Sequence, residues 1–279
     1  MYTLNCQGKI IKIDSPMTMG IINVTPDSFY KGYADLPLSD IVALAGEMIK
    51  QGAPILDIGA QSTRPGSIRI TSEEETSRLL PVIKAIKNAY PEIIISADTY
   101  NAAVAAAALE AGASIINDIS AGEMDPDMIP TVASWQVPFI CMHMKGTPET
   151  MQQQPHYDDV VKEVLDFFIM KLAKCRAAGI NDIIIDPGFG FGKTIAHNFT
   201  LLKNLSIFSI LEVPVLAGLS RKSTVYNTLK CSANEALNGT TVLNTIALLN
   251  GANIIRVHDV KEATEAAILV EAYKKAASC

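Results

Sequence analysis

Eight short runs rich in Ile and Val recur along the chain, and helix-favouring segments separate them. The runs cover 17–23, 55–61, 93–99, 114–120, 138–144, 182–188, 214–220 and 252–258. Near-continuous apolar runs, as opposed to alternating ones, are typical of parallel strands that are covered on both faces. Eight strand–helix units in 279 residues predict an α/β chain folded as a (β/α)8 TIM barrel. A doubly wound open sheet is the alternative.

Four glycines mark the ends of helices in this pattern. Gly52, Gly112, Gly179 and Gly251 each lie directly before an apolar run. Glycine adopts the left-handed conformation that ends a helix, so these positions predict very short helix-to-strand loops. Residues 2–14 are expected to form a short hairpin across the bottom of the barrel. Because no Pro-, Gly- or Ser-rich linker divides residues 1–279, we expect a single domain.

Composition excludes several classes of protein. Apolar residues make up 49% of the chain, which argues against disorder. No apolar run approaches the ~18 residues of a membrane span, and no secretory signal is visible. The formal net charge of −6 disfavours nucleic acid as a partner. The five cysteines have no close spacing, so they predict reduced thiols in a cytoplasmic protein rather than disulfides or a zinc site.

Polar residues stand at the ends of nearly all of these runs. They are Asn23, Asp57, Gln61, Asp98, Asn117, Asp118, His143, Asp186, Ser220, Lys222, Arg256 and His258. In a TIM barrel the carboxyl ends of the strands meet at one rim, which carries the chemistry. The pattern therefore predicts a polar ligand site there.

Two kinds of side chain at this rim suggest two halves of a ligand. Asp98, Asn117 and Asp186 suit a planar heterocycle with N–H and amino donors, because carboxylates accept hydrogen bonds. Cationic groups suit an anionic leaving group; they are Arg64, Arg221, Lys222, Arg256 and His258. The glycine-rich segment 186–194 matches neither a Walker A loop nor a dinucleotide fingerprint.

Several sequence blocks together resemble the dihydropteroate synthase family, whose members act in folate synthesis and are inhibited by sulfonamides. The blocks are INVTPDSF (22–29), DIGAQSTRPG (57–66), ADT (97–99), IINDIS (115–120), MHMKGTP (142–148), DPGFGFGK (186–193), SRKS (220–223) and RVHDV (256–260). The likeness spans nearly the whole chain. It implies a TIM-barrel transferase that joins 6-hydroxymethyl-7,8-dihydropterin diphosphate to 4-aminobenzoate, with dihydropteroate and diphosphate as products.

The resemblance also implies roles for individual residues. Asp98, Asn117, Asp186 and Lys222 match pterin-pocket positions, and Asn23 matches a magnesium ligand. Arg256 and His258 match diphosphate-binding positions, with Thr63 and Arg64 nearby. The aminobenzoate side is matched by Pro65, Phe191, Lys222 and Ser223. Within this set, Asp98, Lys222, Arg256 and His258 are the expected catalytic residues. Mg²⁺ is the expected cofactor, and a homodimer without nucleic-acid or membrane partners is the expected assembly.

One departure from the family pattern is visible. The family often has Gly and Glu where this chain has Ala60 and Gln61. The change removes a charge beside the second strand-to-helix loop, so it bears on the electrostatics of that loop rather than on activity.

Two alternatives involve pterins without this reaction. A pterin-binding methyltransferase domain would share the ring pocket but would need no cradle for diphosphate, so blocks 220–223 and 256–260 argue against it. A non-catalytic pterin-binding protein would be expected to lose Asn23, Lys222, Arg256 or His258, and all four are present.

Overall fold

The eight predicted strands form one parallel sheet in the computed structural model, which describes residues 1–25, 36–62, 67 and 69–276. They are β3 Met17–Asn23, β4 Ile55–Gly59, β5 Ile94–Asp98, β6 Ile115–Asp118, β7 Phe139–Met142, β8 Ile183–Asp186, β9 Leu216–Ala217 and β10 Ile254–Val257. Pairing runs in sequence from β3 to β8, and β10 pairs with both β3 and β9. A bridge between Ile185 and Val215 brings the remaining edges together. The sheet is thus a nearly closed barrel, and the open-sheet alternative is wrong.

The N-terminal hairpin covers the bottom of this barrel, as predicted. Its strands, β1 Tyr2–Cys6 and β2 Lys9–Ile13, pair in antiparallel fashion. Leu4, Cys6 and Ile13 pack against a layer of apolar side chains contributed by all eight barrel strands. That layer consists of Met19, Ile55, Ile94, Ile115, Ile140, Ile184, Leu216 and Ile254. Each such fully buried aliphatic side chain contributes about 1.5–3 kcal/mol to the hydrophobic stabilisation.

Helices surround the sheet and bury its outer face. In the described part of the chain they are α1 Leu38–Lys50, α2 Ser72–Ala89, α3 Ala102–Glu110, α4 Met128–Trp135, α5 Val160–Ala177, α6 Ile195–Lys203, α7 Ser223–Leu229, α8 Leu237–Leu249 and α9 Val260–Lys275. Gly52, Gly112, Gly179 and Gly251 follow four of these helices with φ of +102°, +112°, +96° and +105°. The helix-end prediction is confirmed. No helix among the described residues is long and apolar enough to cross a membrane.

On several strands the interior of the barrel changes from apolar to polar within two residues. Because side chains alternate across a strand, the inward positions above the apolar layer fall two residues later. These positions include Asp57, Asn117, Asp186 and Arg256, which follow Ile55, Ile115, Ile184 and Ile254. Asp98 lies one further step up from Ser96 on β5. Polar groups are therefore concentrated at the carboxyl end of the barrel, above an apolar floor.

An ion pair joins the ends of the last two strands and corrects one sequence-based prediction. Arg221 was grouped above with the cations of an anion site, but its side chain turns away from the barrel axis into protein. Its Nε and Nη2 atoms donate to Asp259 at 2.8 Å each, and Nη1 donates to the carbonyls of Ala233 and Asn234 at 2.7 and 2.8 Å. Only 4% of the Arg221 side chain is exposed. This pair fixes the loop after β9 against the start of α9, so its role is structural.

Breaking this pair is expected to destabilise the protein strongly. Arg221→Met leaves the half-buried Asp259 carboxylate without its partner and removes the buried Nη1 donor to two carbonyls, which should lower the free energy of unfolding by about 3 kcal/mol. Lys162→Met is the control, because the Lys162–Asp166 pair is exposed on α5 and such pairs contribute little. Urea denaturation measures both variants. Equal stability of the Arg221 variant and the wild type would contradict this role.

Candidate active site

Arg256 is the centre of a charged cluster at the carboxyl end of the barrel. Its Nε donates to Oδ2 of Asp57, and its Nη2 donates to Oδ2 of Asp98 at 2.6 Å. Asn117 donates from Nδ2 to the same Asp57 oxygen at 3.1 Å. Asp57 is fully buried, and its second oxygen, Oδ1, has no hydrogen-bond partner among the described residues. The cluster thus brings together residues from β4, β5, β6 and β10.

Lys222 and Asp186 form a second charged group beside Gly218. A Cβ atom at Gly218 would lie 3.6 Å from Lys222 Nζ and 3.8 Å from Asp186 Oδ2. Lys222 donates to the carbonyl of Phe189 at 2.6 Å, and its Nζ lies 4.7 Å from the centre of the Phe191 ring. Both distances are ordinary van der Waals contacts, so the ammonium and the carboxylate lie on the same side of Gly218.

Apolar side chains stand beside these charges. Tyr100, Ile119 and Met142 form a small buried cluster, and Met124, Met144 and Phe191 pack against it. Flat apolar surfaces next to a few hydrogen-bonding groups are typical of small-molecule sites. The arrangement suits a planar ligand whose edge meets carboxylates.

Burial shifts the pKa values of this site. It raises the pKa of Asp98, and Arg256 opposes that shift. It also raises the pKa of Asp186, against the ammonium of Lys222. The pKa of Lys222 falls to about 8, because burial of the ammonium outweighs its attraction to Asp186. Several carboxylates and cations held out of water in one cluster mark a functional site.

Other predicted residues lie at the same end of the barrel. His258 follows β10, and its Nδ1 lies 3.0 Å from Oγ of Ser220. Asn23 is the half-buried last residue of β3, and Ser223 is the first residue of α7. Thr63, Arg64 and Pro65 lie outside the described residues.

Gln61 ties together the two ends of the loop after β4. Its Nε2 donates to the carbonyl of Ser62 at 2.8 Å, and its Oε1 accepts from the backbone N–H of Ile70 at 2.9 Å. A glutamate, which the family often has here, could accept from Ile70 but, when ionised, could not donate to Ser62. The amide thus supplies a donor that the charged form lacks.

The sequence analysis missed two residues that the structure brings to prominence. Asp57 was recognised as a strand-end residue but was given no role, although it holds both Arg256 and Asn117. Its spacing of two from Ile55, the same as that of Asp186 from Ile184, was the available signal. Lys193 was given no role of its own within the glycine-rich segment 186–194, and its side chain is buried beneath the loop after β8. No spacing rule indicates that contact.

Comparison with known proteins agrees with this geometry. The model of the pterin binding enzyme family matches residues 19–258. The dihydropteroate synthase of Escherichia coli K12 is 44% identical over 271 residues, which cover 96% of this chain and 95% of that protein.

Two solved structures share the fold over nearly their whole lengths. Yersinia pestis dihydropteroate synthase, crystallised with a sulfonamide drug complex, superposes with a TM-score of 0.95 at 41% identity and covers 99% of this chain and 100% of its own. The Xanthomonas albilineans enzyme in complex with 7,8-dihydropteroate gives a TM-score of 0.88 at 37% identity, with 99% and 100% coverage. The chain belongs to the pterin-binding enzyme family and, within it, to the dihydropteroate synthases, which are transferases of folate synthesis.

Proposed function

We propose that the charged cluster at the barrel mouth binds dihydropterin diphosphate and joins it to 4-aminobenzoate. The observation that carries this assignment is a group of three carboxylates around Arg256 and Lys222, in which Asp57 and Asp186 are buried and Asp98 is half-buried. A methyl-transfer reaction needs the ring pocket but no cationic cradle for a leaving group, so the cations favour the condensation.

A pterin ring carries the hydrogen-bond donors that the ring pocket lacks. Asp57 Oδ1 is a buried acceptor without a donor among the described residues, and leaving such an oxygen unpaired costs about 1–3 kcal/mol. A pterin edge carries N–H and amino donors that can pair with carboxylates and with the carbonyl oxygen of Asn117. The apolar cluster around Met142 lies beside the flat faces of such a ring.

The carboxylates also suit the chemistry of bond breaking. Loss of diphosphate from the CH2 group leaves positive charge that spreads into the electron-rich ring. Asp186 is buried and Asp98 is half-buried, so both carboxylates stabilise that charge more than they would in water. The arylamine of 4-aminobenzoate then attacks the CH2 carbon and releases a proton. The weakly basic amine requires positioning more than deprotonation, so the site needs no strong general base.

Arg256 and His258 are proposed to bind the diphosphate. Arg256 uses Nε and Nη2 for Asp57 and Asp98, and its Nη1 has no hydrogen-bond partner among the described residues. That third nitrogen is the donor assigned to the anion. His258 stands two residues further along the same segment, held by Ser220.

Mg²⁺ is proposed as the cofactor, with the amide oxygen of Asn23 as its protein ligand. The described residues contain no cluster of three His, Cys, Asp or Glu side chains that could hold a metal by themselves. A single amide oxygen fits an ion that takes most of its ligands from phosphate and water. When bound, the ion would neutralise charge on the leaving diphosphate.

The aminobenzoate is proposed to lie against Phe191 and Lys222, near Ser223 at the start of α7. Lys222 Nζ faces the Phe191 ring, so an aromatic carboxylate meets both an apolar face and a cation there. Pro65, in the loop after β4, is also assigned to the aminobenzoate, and Thr63 and Arg64 of the same loop are assigned to the diphosphate side.

We propose a homodimer, and the exposed apolar residues of α8 and α9 support it. Val242, Ile246 and Leu249 recur at spacings of four and three along α8; Leu269 and Tyr273 on α9 are 70% and 71% exposed. Apolar patches of this kind are typical of interfaces, and light scattering tests the oligomeric state in solution.

A cytoplasmic location is proposed because the four cysteines in the described residues carry free thiols.

Asp98→Asn should lower turnover much more than it lowers stability. The amide keeps the shape of the side chain but removes the charge that stabilises the pterin cation, so turnover should fall on the order of 100-fold. Stability should change less than in Arg221→Met, because the amide also removes a buried negative charge near Asp57. The assay follows 4-aminobenzoate-dependent release of diphosphate and checks the product mass, with the exposed Asp166→Asn as control. Unchanged turnover in Asp98→Asn would contradict its role.

Arg256→Ala should weaken binding of the diphosphate substrate by roughly 10- to 100-fold, because a charge-assisted hydrogen bond contributes about 1.5–3 kcal/mol. The corresponding pterin alcohol, which lacks the anion, should lose less affinity. Isothermal titration with both compounds measures the difference, and Arg78→Ala on α2 is the control. Equal losses for both compounds would place Arg256 in the ring pocket alone.

The lowered pKa of Lys222 predicts that activity falls at alkaline pH. Burial lowers its pKa to about 8, so the ammonium is present below that pH and is lost as the pH rises through it. The value of kcat/KM, which reports groups of the free enzyme, should decline above about pH 8. Lys222→Arg stays charged, so its lower activity should show no such decline. An identical decline at alkaline pH in both proteins would mean that a group other than Lys222 causes it.

A further inference from the structure

Lys193 is a buried cation that the proposed chemistry does not use. Its side chain is 3% exposed, and Nζ lies 2.9 Å from Nδ1 of His143 and 3.0 Å from the carbonyls of both Gly188 and Phe191. The His143 carbonyl is a fourth acceptor at 3.2 Å. No carboxylate of the described residues forms an ion pair with it. All of its hydrogen bonds thus go to the end of β7 and to residues 187–193, here called the β8 turn.

The β8 turn depends on such contacts for its shape. Gly188, Gly190 and Gly192 all have positive φ, and glycine gives the backbone little intrinsic preference. A Cβ at Gly188 would lie 1.9 Å from the His143 carbonyl, so the turn is pressed directly against β7. Carbonyls 188 and 191 then point toward the buried Lys193, which is their donor. Gln152 and Tyr157 donate to the carbonyls of Gly190 and Gly192.

The β8 turn also positions three groups of the active site. The carbonyl of Phe189 receives the hydrogen bond from Lys222, and the Phe191 ring faces the same ammonium. The backbone N–H of Gly188 donates to Oδ1 of Asp186 at 2.7 Å. A shift of the turn would therefore move the Phe191 ring and the Lys222 ammonium together.

We propose that Lys193 is a positioning residue for the aminobenzoate side of the site, acting through Phe191 and Lys222. It contacts neither substrate. Its ammonium holds the backbone of the β8 turn so that the Phe191 ring and the acceptor for Lys222 keep their places. The proposal rests on the proposed function, because that function assigns Phe191 to aminobenzoate.

Protonation of the His143–Lys193 pair is consistent with this role. Burial and the neighbouring ammonium lower the pKa of His143 to about 2, so the imidazole is neutral and its Nδ1 accepts from Lys193. Burial also lowers the pKa of Lys193, to about 7. Both the ammonium and the amine can donate to the imidazole nitrogen and to a carbonyl.

The test compares Lys193→Met with Lys171→Met. Lys171 is also a buried lysine that donates to a backbone carbonyl, that of Ala121, but it holds the loop after β6 instead. Steady-state kinetics give KM for each substrate, and thermal unfolding gives stability. Lys193→Met should raise KM for 4-aminobenzoate on the order of tenfold relative to KM for dihydropterin diphosphate, because small misplacements are costly. Lys171→Met should lower stability and leave that ratio unchanged.

Phe191→Leu, alone and combined with Lys193→Met, separates this proposal from the function on which it rests. If Lys193 acts through Phe191, the two changes in KM for 4-aminobenzoate should be clearly less than additive. If Phe191→Leu raises that KM and Lys193→Met does not, the Lys193 proposal is overturned. If Phe191→Leu leaves KM unchanged, the assignment of Phe191 itself fails. Should Lys193→Met not fold, Lys193→Gln, which keeps an amide donor, takes its place under the same criteria.

Discussion

The bridge from Arg256 to Asp57 and Asp98 is the interaction on which the active site depends. It joins β10 to β4 and β5 across the barrel, and it keeps two carboxylates close together although burial raises the pKa of Asp98. Desolvation of ion pairs is costly, so this cluster is a poor way to stabilise a fold. In the proposed function its value lies in holding negative charge out of water, where that charge would stabilise positive charge on the pterin ring.

A second layer of contacts keeps these groups in place. The Arg221–Asp259 pair fixes the ends of β9 and β10, next in sequence to Lys222 and His258. Lys193 fixes the glycine-rich turn that carries Phe189 and Phe191. Both buried cations satisfy backbone carbonyls as well as side chains, so each fixes the loop on which it lies. Rigid support of this kind is what a reaction that relies on positioning needs.

Much of the fold could be predicted because its signals are local. Each apolar run is a strand, and the four glycines end their helices with positive φ. Residues 2–14 could be placed because a barrel has an apolar bottom to be covered. Asn117 and Asp186 could be assigned to a common site because parallel strands bring their carboxyl ends to one rim. The partner of the Arg221 side chain could not be predicted, because an arginine beside Lys222 has the same sequence pattern whether it faces a ligand or an aspartate.

The sequence by itself determined the number and direction of the strands, the polar character of the rim and the family, because periodicity, glycine positions and motif blocks are properties of the chain. Only the tertiary structure decided which charges meet. Asp57 and Arg256 are 199 residues apart, and closing the barrel is what brings them into contact. The same closure turned Arg221 toward Asp259 and buried Lys193 under its turn, because side-chain partners are chosen by packing across strands and not by spacing along them.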